Sequence, residues 1–330
     1  MRPALVAALM ASLVATVACD GDGSRAERRP PGSSAGTTAA SGTSSPATPA
    51  PTPEAPTLAP RPRVDPDAFD PAAARRTVVR LAGGIGPRHA TSPAYRSAAD
   101  WVAGRLRAHG RVVRRAPVAV PGGDSWGVPV GPGRSFNVVA SPPGLDPTEP
   151  HLVVGAHLDT VPQSPGAEDN ASGVAVLLEV ARVLGEARTR LPVVLVAFGA
   201  EEPRGPSDAD HHFGSRAYVA SLAVGERRAV RGMVSLDRVG VGAVVPVCSA
   251  GGTGTGARAR VLAAARAVGV PAIACENRSS DHWSFARAGM PGVRIGSTPY
   301  AGYHSPGDLP AVVDPRQLGR TGRVVLAWLR

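Results

Sequence analysis

The chain of 330 residues has no lysine: all 36 of its basic side chains are arginine, set against 26 acidic ones. Phe, Trp and Tyr together supply only 4% of it. Nucleic-acid recognition needs basic residues gathered on one face with aromatics between them. Here the arginines are scattered, so nucleic acid is excluded as a partner. The formal charge of +10 accompanies heavy use of Ala, Gly and Pro and reads as the codon bias of a GC-rich genome. Cysteine is also scarce, at three residues, too few for a disulfide-built scaffold. No apolar run reaches the roughly 20 residues of a spanning helix. The 43% apolar and 19% charged content excludes a wholly disordered chain.

The longest apolar run, residues 4–18, follows Arg2 and ends in small residues before Cys19. Its length suits the apolar part of a signal peptide. The ending Ala-Thr-Val-Ala18-Cys19 resembles a bacterial lipobox, in which the cysteine is lipidated and becomes the new N-terminus. An ordinary signal peptide before a stray cysteine is the alternative. Both readings predict export, as a cell-surface lipoprotein anchored at Cys19 or as a secreted protein. A lipid anchor would be the only link to a membrane. Residues 20–66 are rich in Ser, Thr, Ala, Gly and Pro and nearly free of large apolar side chains. Such a segment cannot bury enough surface to offset its ordering entropy, and it reads as a disordered linker. Residues 67–330 read as one folded domain, near the upper size for a single core.

Within that domain short apolar runs alternate with helical patterns. Strands are expected over 136–140, 152–156, 193–198, 233–236, 243–247, 270–274 and 292–295. Helices are expected over 71–81, 93–109, 171–184, 214–222, 256–268 and 315–329. Several strands are apolar at successive positions, as in strands covered on both faces. The pattern predicts an α/β sandwich around a largely parallel sheet, with its site at the carboxyl ends of the strands.

Five strand ends carry polar chemistry. Val153-Val154-Gly155-Ala156 runs into His157 and Asp159. Glu168-Asp169-Asn170 opens an apolar helix, where an Asp can be a simple cap. Val196-Ala197-Phe198 leads to Glu201-Glu202, whose adjacent side chains point different ways. Met233–Leu236 ends in Asp237, and a Gly/Pro loop holds Tyr303-His304. Two histidines and three or more carboxylates form an N/O ligand set that suits zinc.

Taken in order, "AHLDT", "AEDNASG", "GAEE", "SLDRVG" and "YHSPGD" resemble the di-zinc aminopeptidase family of secreted bacterial exopeptidases, peptidase family M28, across residues 70–330. The resemblance implies a three-layer α/β/α sandwich with a mixed, mostly parallel sheet of about eight strands. It implies two Zn²⁺ ions bridged by Asp169. His157 and Asp237 would complete one site, and Glu202 and His304 the other. Glu201 matches the general base, Asp159 the partner that orients His157, and Tyr303 a hydrogen-bond donor to the developing oxyanion. The implied activity is removal of N-terminal residues from peptides with a free N-terminus through a zinc-activated water, by a monomer. The alternatives are a single-zinc glutaminyl cyclase and a non-catalytic binding module on the same fold.

Departures from the family pattern raise further expectations. Residues 203–215 form a longer polar loop than the short segment relatives often have, and His211 and His212 read as solvated, with extra metal ligands as the alternative. Asp281 reads as the cap of a helix start, with direct substrate contact as the alternative. Cys248 and Cys275 end two strand-like runs and are candidates for a disulfide, with free buried thiols as the alternative. Arg238 stands where relatives carry an apolar residue. It either turns outward to a surface carboxylate or lines the substrate pocket.

Overall fold

The computed structural model describes residues 61–252 and 254–330. The signal peptide, Cys19 and residues 20–60 of the linker lie outside them. Packing begins earlier than the expected boundary at residue 67. Val64 is fully buried, and its N–H donates to the Arg188 carbonyl at 3.0 Å.

The strands are β1 (Val112–Val120), β2 (Gly123–Ser125), β3 (Val128–Val130), β4 (Gly133–Ser141), β5 (His151–His157), β6 (Val193–Phe198), β7 (Val230–Asp237), β8 (Val245–Ser249), β9 (Ala272–Glu276) and β10 (Gly292–Gly296). The helices are α1 (Pro71–Val78), α2 (Pro93–Ala108), α3 (Ser172–Glu186), α4 (Phe213–Ser221), α5 (Val224–Ala229), α6 (Gly254–Ala267), α7 (His282–Arg287) and α8 (Pro315–Leu329). Three helix starts share one device. Asp70, Ser92 and Asp314 accept backbone N–H groups of the first turn, and a proline follows each as the first helical residue. The capping oxygen satisfies a donor that has no partner within the helix, and proline has no such donor to satisfy there.

Eight strands form one sheet in the order β1-β4-β6-β5-β7-β10-β8-β9, and β2 and β3 form a separate hairpin. The neighbours β6, β5, β7 and β10 run parallel, whereas β1, β4 and β8 join antiparallel. The sheet is therefore mixed with a parallel centre, as expected. Side chains alternate across it. Val138, Leu152, Val154, Leu195, Val234 and Ile295 face a core with α1, α2, α3, α6 and α8. Val139, Val153, Val194, Val196 and Met233 face a smaller one with Tyr218 and Val219 of α4 and Phe285 of α7. Each fully buried Val, Leu or Phe contributes about 1.5–3 kcal/mol, so both faces must be covered. No helix of the described residues is long and apolar enough to cross a membrane.

Most expected elements are present within a few residues, with β8 and β9 starting two residues later than expected. Three elements were not expected: β1, the β2–β3 hairpin and α5. Strand β1 reads Val-Val-Arg-Arg-Ala-Pro-Val-Ala-Val, which lacks the apolar continuity of the central strands. It lies at the sheet edge and pairs only with β4, where Pro117 leaves no central ladder broken. Cys248 faces Cys275 in the β8–β9 register, and the two form a disulfide. That excludes the free thiols.

Candidate metal centre

The five chemical segments converge because β5, β6, β7 and β10 are parallel and their carboxyl ends are side by side. His157 is the last residue of β5 and Asp237 the last of β7. Glu201 and Glu202 follow β6, Asp169 sits in the turn entering α3, and His304 lies in the loop after β10. His157, Asp169, Glu201, Glu202, Asp237, Tyr303 and His304 line one narrow cleft. All of them except Tyr303 are buried.

Asp169 occupies the middle. Its Oδ1 lies 3.1 Å from His157 Nε2 and its Oδ2 lies 3.2 Å from His304 Nε2. Glu202 Oε2 is 3.2 Å from the same His304 nitrogen, and Asp237 Oδ1 is 4.0 Å from His157 Nε2. One carboxylate thus offers an oxygen to each of two donor groups. Two sets of donor atoms lie close enough together to hold an ion: His157, Asp169 and Glu202, and His157, Glu201 and Asp237. Glu202 Oε1 and His304 Nδ1 are buried without a hydrogen-bond partner. Buried polar atoms of this kind are costly unless something answers them. The orphaned oxygen and the imidazole–carboxylate donor set both fit zinc.

The titration behaviour follows from this crowding. Burial pushes Glu201 up to about 8; His157 opposes this, and Asp237, Asp169 and Asp159 add to it. Burial likewise raises Glu202 to about 7, against the pull of His304. Burial would also raise Asp169, but hydrogen bonds from both histidines outweigh it and hold the carboxyl well below its usual range. Burial works against charge on His304, yet Glu202 and Asp169 raise it to about 10.

Other residues hold these groups in place. His157 Nδ1 reaches the Asp159 carbonyl at 3.2 Å, whereas the Asp159 carboxylate is 3.7 Å away. That carboxylate accepts the N–H of Glu201 at 3.1 Å and of Glu202 at 3.2 Å, so Asp159 chiefly clamps the loop after β6. Asp308 accepts the N–H of Glu168 at 2.8 Å and of Asp169 at 3.0 Å, and Tyr300 donates to it at 2.9 Å. The buried Arg88 donates to the carbonyls of Leu158, Pro165 and Gly166, bracing the loop between His157 and Asp169. Arg294, buried within β10, donates to Asp237 Oδ1 at 2.8 Å.

The rim carries the corrections. His212 is buried, not solvated. Its Nε2 lies 3.2 Å from Glu201 Oε1, and burial lowers its pKa. Asp281 precedes α7 but caps nothing; its side chain is buried, and burial raises its carboxyl to about 7. Tyr303 is partly exposed, with its ring stacked on His304 at 3.7 Å between centroids. Trp126, at the tip of the β2–β3 hairpin, meets His304 edge-on at 4.5 Å. No sequence signal marked Trp126 or Arg88, and Asp308 closes the YHSPGD segment without a role having been assigned to it. A groove of about 540 Å³ adjoins the cleft, lined by Asp124, Trp126, Pro203, Pro206 and His211 among others.

Aminopeptidase YwaD of Bacillus subtilis is 31% identical over 205 residues, which cover 58% of this chain and 44% of that protein. The chain spans less than half the length of such curated relatives. The solved structure of BSAP, a zinc aminopeptidase from Bacillus subtilis, superposes with a TM-score of 0.69 at 20% identity, covering 79% of this chain and 94% of that one. Porphyromonas gingivalis glutaminyl cyclase superposes at 0.70 with 25% identity, covering 80% and 98%. Residues 137–329, which contain every ligand candidate, match peptidase family M28, and the chain belongs to that family.

Proposed function

We propose that this protein is a zinc-dependent aminopeptidase, exported as a lipoprotein anchored at Cys19 or secreted, that acts as a monomer on peptides with a free N-terminus. The observation that carries the reading is Asp169 with one oxygen toward each of His157 and His304. Asp169 would span two zinc ions, with His157 and Asp237 holding one and Glu202 and His304 the other. Zinc, when bound, supplies Lewis acidity and lowers the pKa of water toward neutrality.

The chain's own groups do the rest. Glu201 lies beside His157 and Asp237, and its Oε1 is 3.2 Å from His212 Nε2. A buried carboxylate at that position suits a group that takes a proton from the attacking water and returns it to the leaving amine. Tyr303 at the rim offers its hydroxyl to the oxyanion. The buried carboxylates attract a substrate α-ammonium, which favours cutting at the N-terminus. The groove beside Trp126 would take the rest of the peptide.

A second reading is a single-zinc glutaminyl cyclase, favoured by the superposition on the Porphyromonas gingivalis enzyme. Elemental analysis with a panel of aminoacyl amides separates the two. The aminopeptidase reading expects two zinc ions per chain and cleavage of free but not blocked N-termini. One zinc, with cyclisation of N-terminal glutamine, would replace it with the cyclase. Neither metal nor turnover would leave a binding module.

A further inference from the structure

We infer that Arg238 forms a subsite for a carboxylate of the substrate, supplied by the side chain of an acidic N-terminal residue or by the C-terminus of a short peptide. The inference rests on the proposed peptidase reading and names the substrate class. Arg238 follows the last residue of β7 in a left-handed conformation, with φ 57°. Its N–H donates to Asn170 Oδ1 at 3.2 Å, which fixes that turn against the Asp169 segment. The side chain therefore lies along the metal cleft, and the outward alternative is excluded: only 14% of it is exposed, and it lines the cleft with His157, Glu201 and Tyr303.

Two contacts hold the guanidinium in place. It lies 4.5 Å over the Tyr303 ring, and its Nη2 donates to Ser297 Oγ at 3.2 Å. Neither contact neutralises it. The carboxylate beside it is Asp237, whose Oδ1 is 3.7 Å from Arg238 Nε, too far for a hydrogen bond. That same oxygen already accepts the 2.8 Å hydrogen bond from the buried Arg294. Arg238 thus keeps only a long ion pair with Asp237, and it stands at the cleft wall as a fixed cation without a hydrogen-bonded anion. A permanent positive charge beside a site built for divalent cations is unfavourable unless a negative group joins it. The planar fork of arginine suits a carboxylate, which it can bind through two parallel hydrogen bonds. The cleft then has two poles. The Glu201–Glu202 side takes the substrate's ammonium, and the Arg238–Tyr303 side takes its carboxylate.

Kinetics on the full chain loaded with zinc test this with two substrate pairs. Glutamyl anilide against leucyl anilide reads a side-chain carboxylate. The dipeptide Leu-Gly against its C-terminal amide reads a terminal one. Arg238→Met is expected to lower the acid-to-neutral ratio of kcat/KM in one pair by about 10–100-fold, mainly through KM. Arg238→Lys, which keeps the charge without the fork, should recover part of that loss at wild-type zinc content. Ratios in both pairs that stay the same in Arg238→Met overturn the subsite and leave the peptidase reading intact. Calorimetric titration of wild type and Arg238→Met with glutamic acid α-amide, glycyl-leucine and leucinamide reads the same preference without turnover. Wild-type protein that cleaves none of the four substrates overturns the peptidase reading. The titration then decides the subsite alone: a carboxylate preference lost in Arg238→Met supports it, and equal affinities for the three ligands in wild type refute it.

Discussion

Along β5, Leu152, Val154, Ala156 and His157 are equally hidden from solvent, but the first three meet apolar helices and the last meets carboxylates. Burial has opposite signs in the two places. On the sheet faces each hidden side chain adds to stability through the surface it removes from water. At the carboxyl edge hidden charges cost several kcal/mol each unless partners answer them. The edge therefore draws on stability that the faces supply. Changes at the edge should alter chemistry with little loss of stability, and changes on the faces should do the reverse.

The largest effect is expected at the edge. Glu201→Gln should lower turnover by about 10²–10⁴-fold while zinc content and melting temperature stay at wild-type values. A variant that keeps most of its turnover would remove Glu201 as the base. On the large face, Leu106→Ala in α2 deletes a fully buried side chain. It should lower the unfolding free energy by about 2–5 kcal/mol in urea titrations, with specific activity per folded molecule unchanged. A drop in specific activity at full folding would break the comparison. The Cys248–Cys275 disulfide closes a loop of 27 residues between neighbouring strands. The double replacement by serine should cost about 2–4 kcal/mol, again without loss of zinc.

The smallest predicted effect lies between the two regions. His282 is buried, donates through Nε2 to the Asn277 carbonyl at 2.8 Å, and is pushed down to about 4, chiefly by burial. An unfolded histidine takes up its proton near 6.5, so acid favours the unfolded chain. The contribution of the neutral ring is complete above about pH 6.5 and is lost as pH falls toward 4, for a total of roughly 3 kcal/mol. Asp281, raised to about 7, has the opposite sign, because its folded form takes up a proton first. That contribution is common to wild type and His282→Gln, so the difference between them isolates His282. Urea unfolding of the metal-free proteins at pH 7 and pH 4.5 should show a steeper loss for wild type. Parallel losses would show that His282 does not titrate as described.

The ligand candidates were legible because each sits in a short segment directly after an apolar run, and parallel strands bring such ends together. Strand β1 was not legible because Arg114, Arg115 and Pro117 interrupt its apolar pattern, and only its place at the edge makes that tolerable. Asp281 and His212 were misread for one reason: whether a polar residue outside a strand is buried depends on what the fold packs around it, which its local sequence does not carry. Arg294 carried a usable signal that was passed over. A lone arginine inside a strand buried on both faces requires a buried anion, and Asp237 is the one it finds.

The loop between β6 and α4 is closed at its base. The His212 N–H donates to the Glu201 carbonyl at 2.9 Å, and the Phe213 N–H donates to the Ala200 carbonyl at 2.8 Å. Its two ends are thereby fixed beside each other whatever lies between them. Lengthening such a loop changes its closure entropy only logarithmically, by about 0.6 kcal/mol per doubling. The segment from Pro203 to His211 can therefore gain or lose residues without moving Glu201 or Glu202. Because the same segment walls the groove beside Trp126, a change in its length would reshape that groove while the carboxylates beside it stay in place.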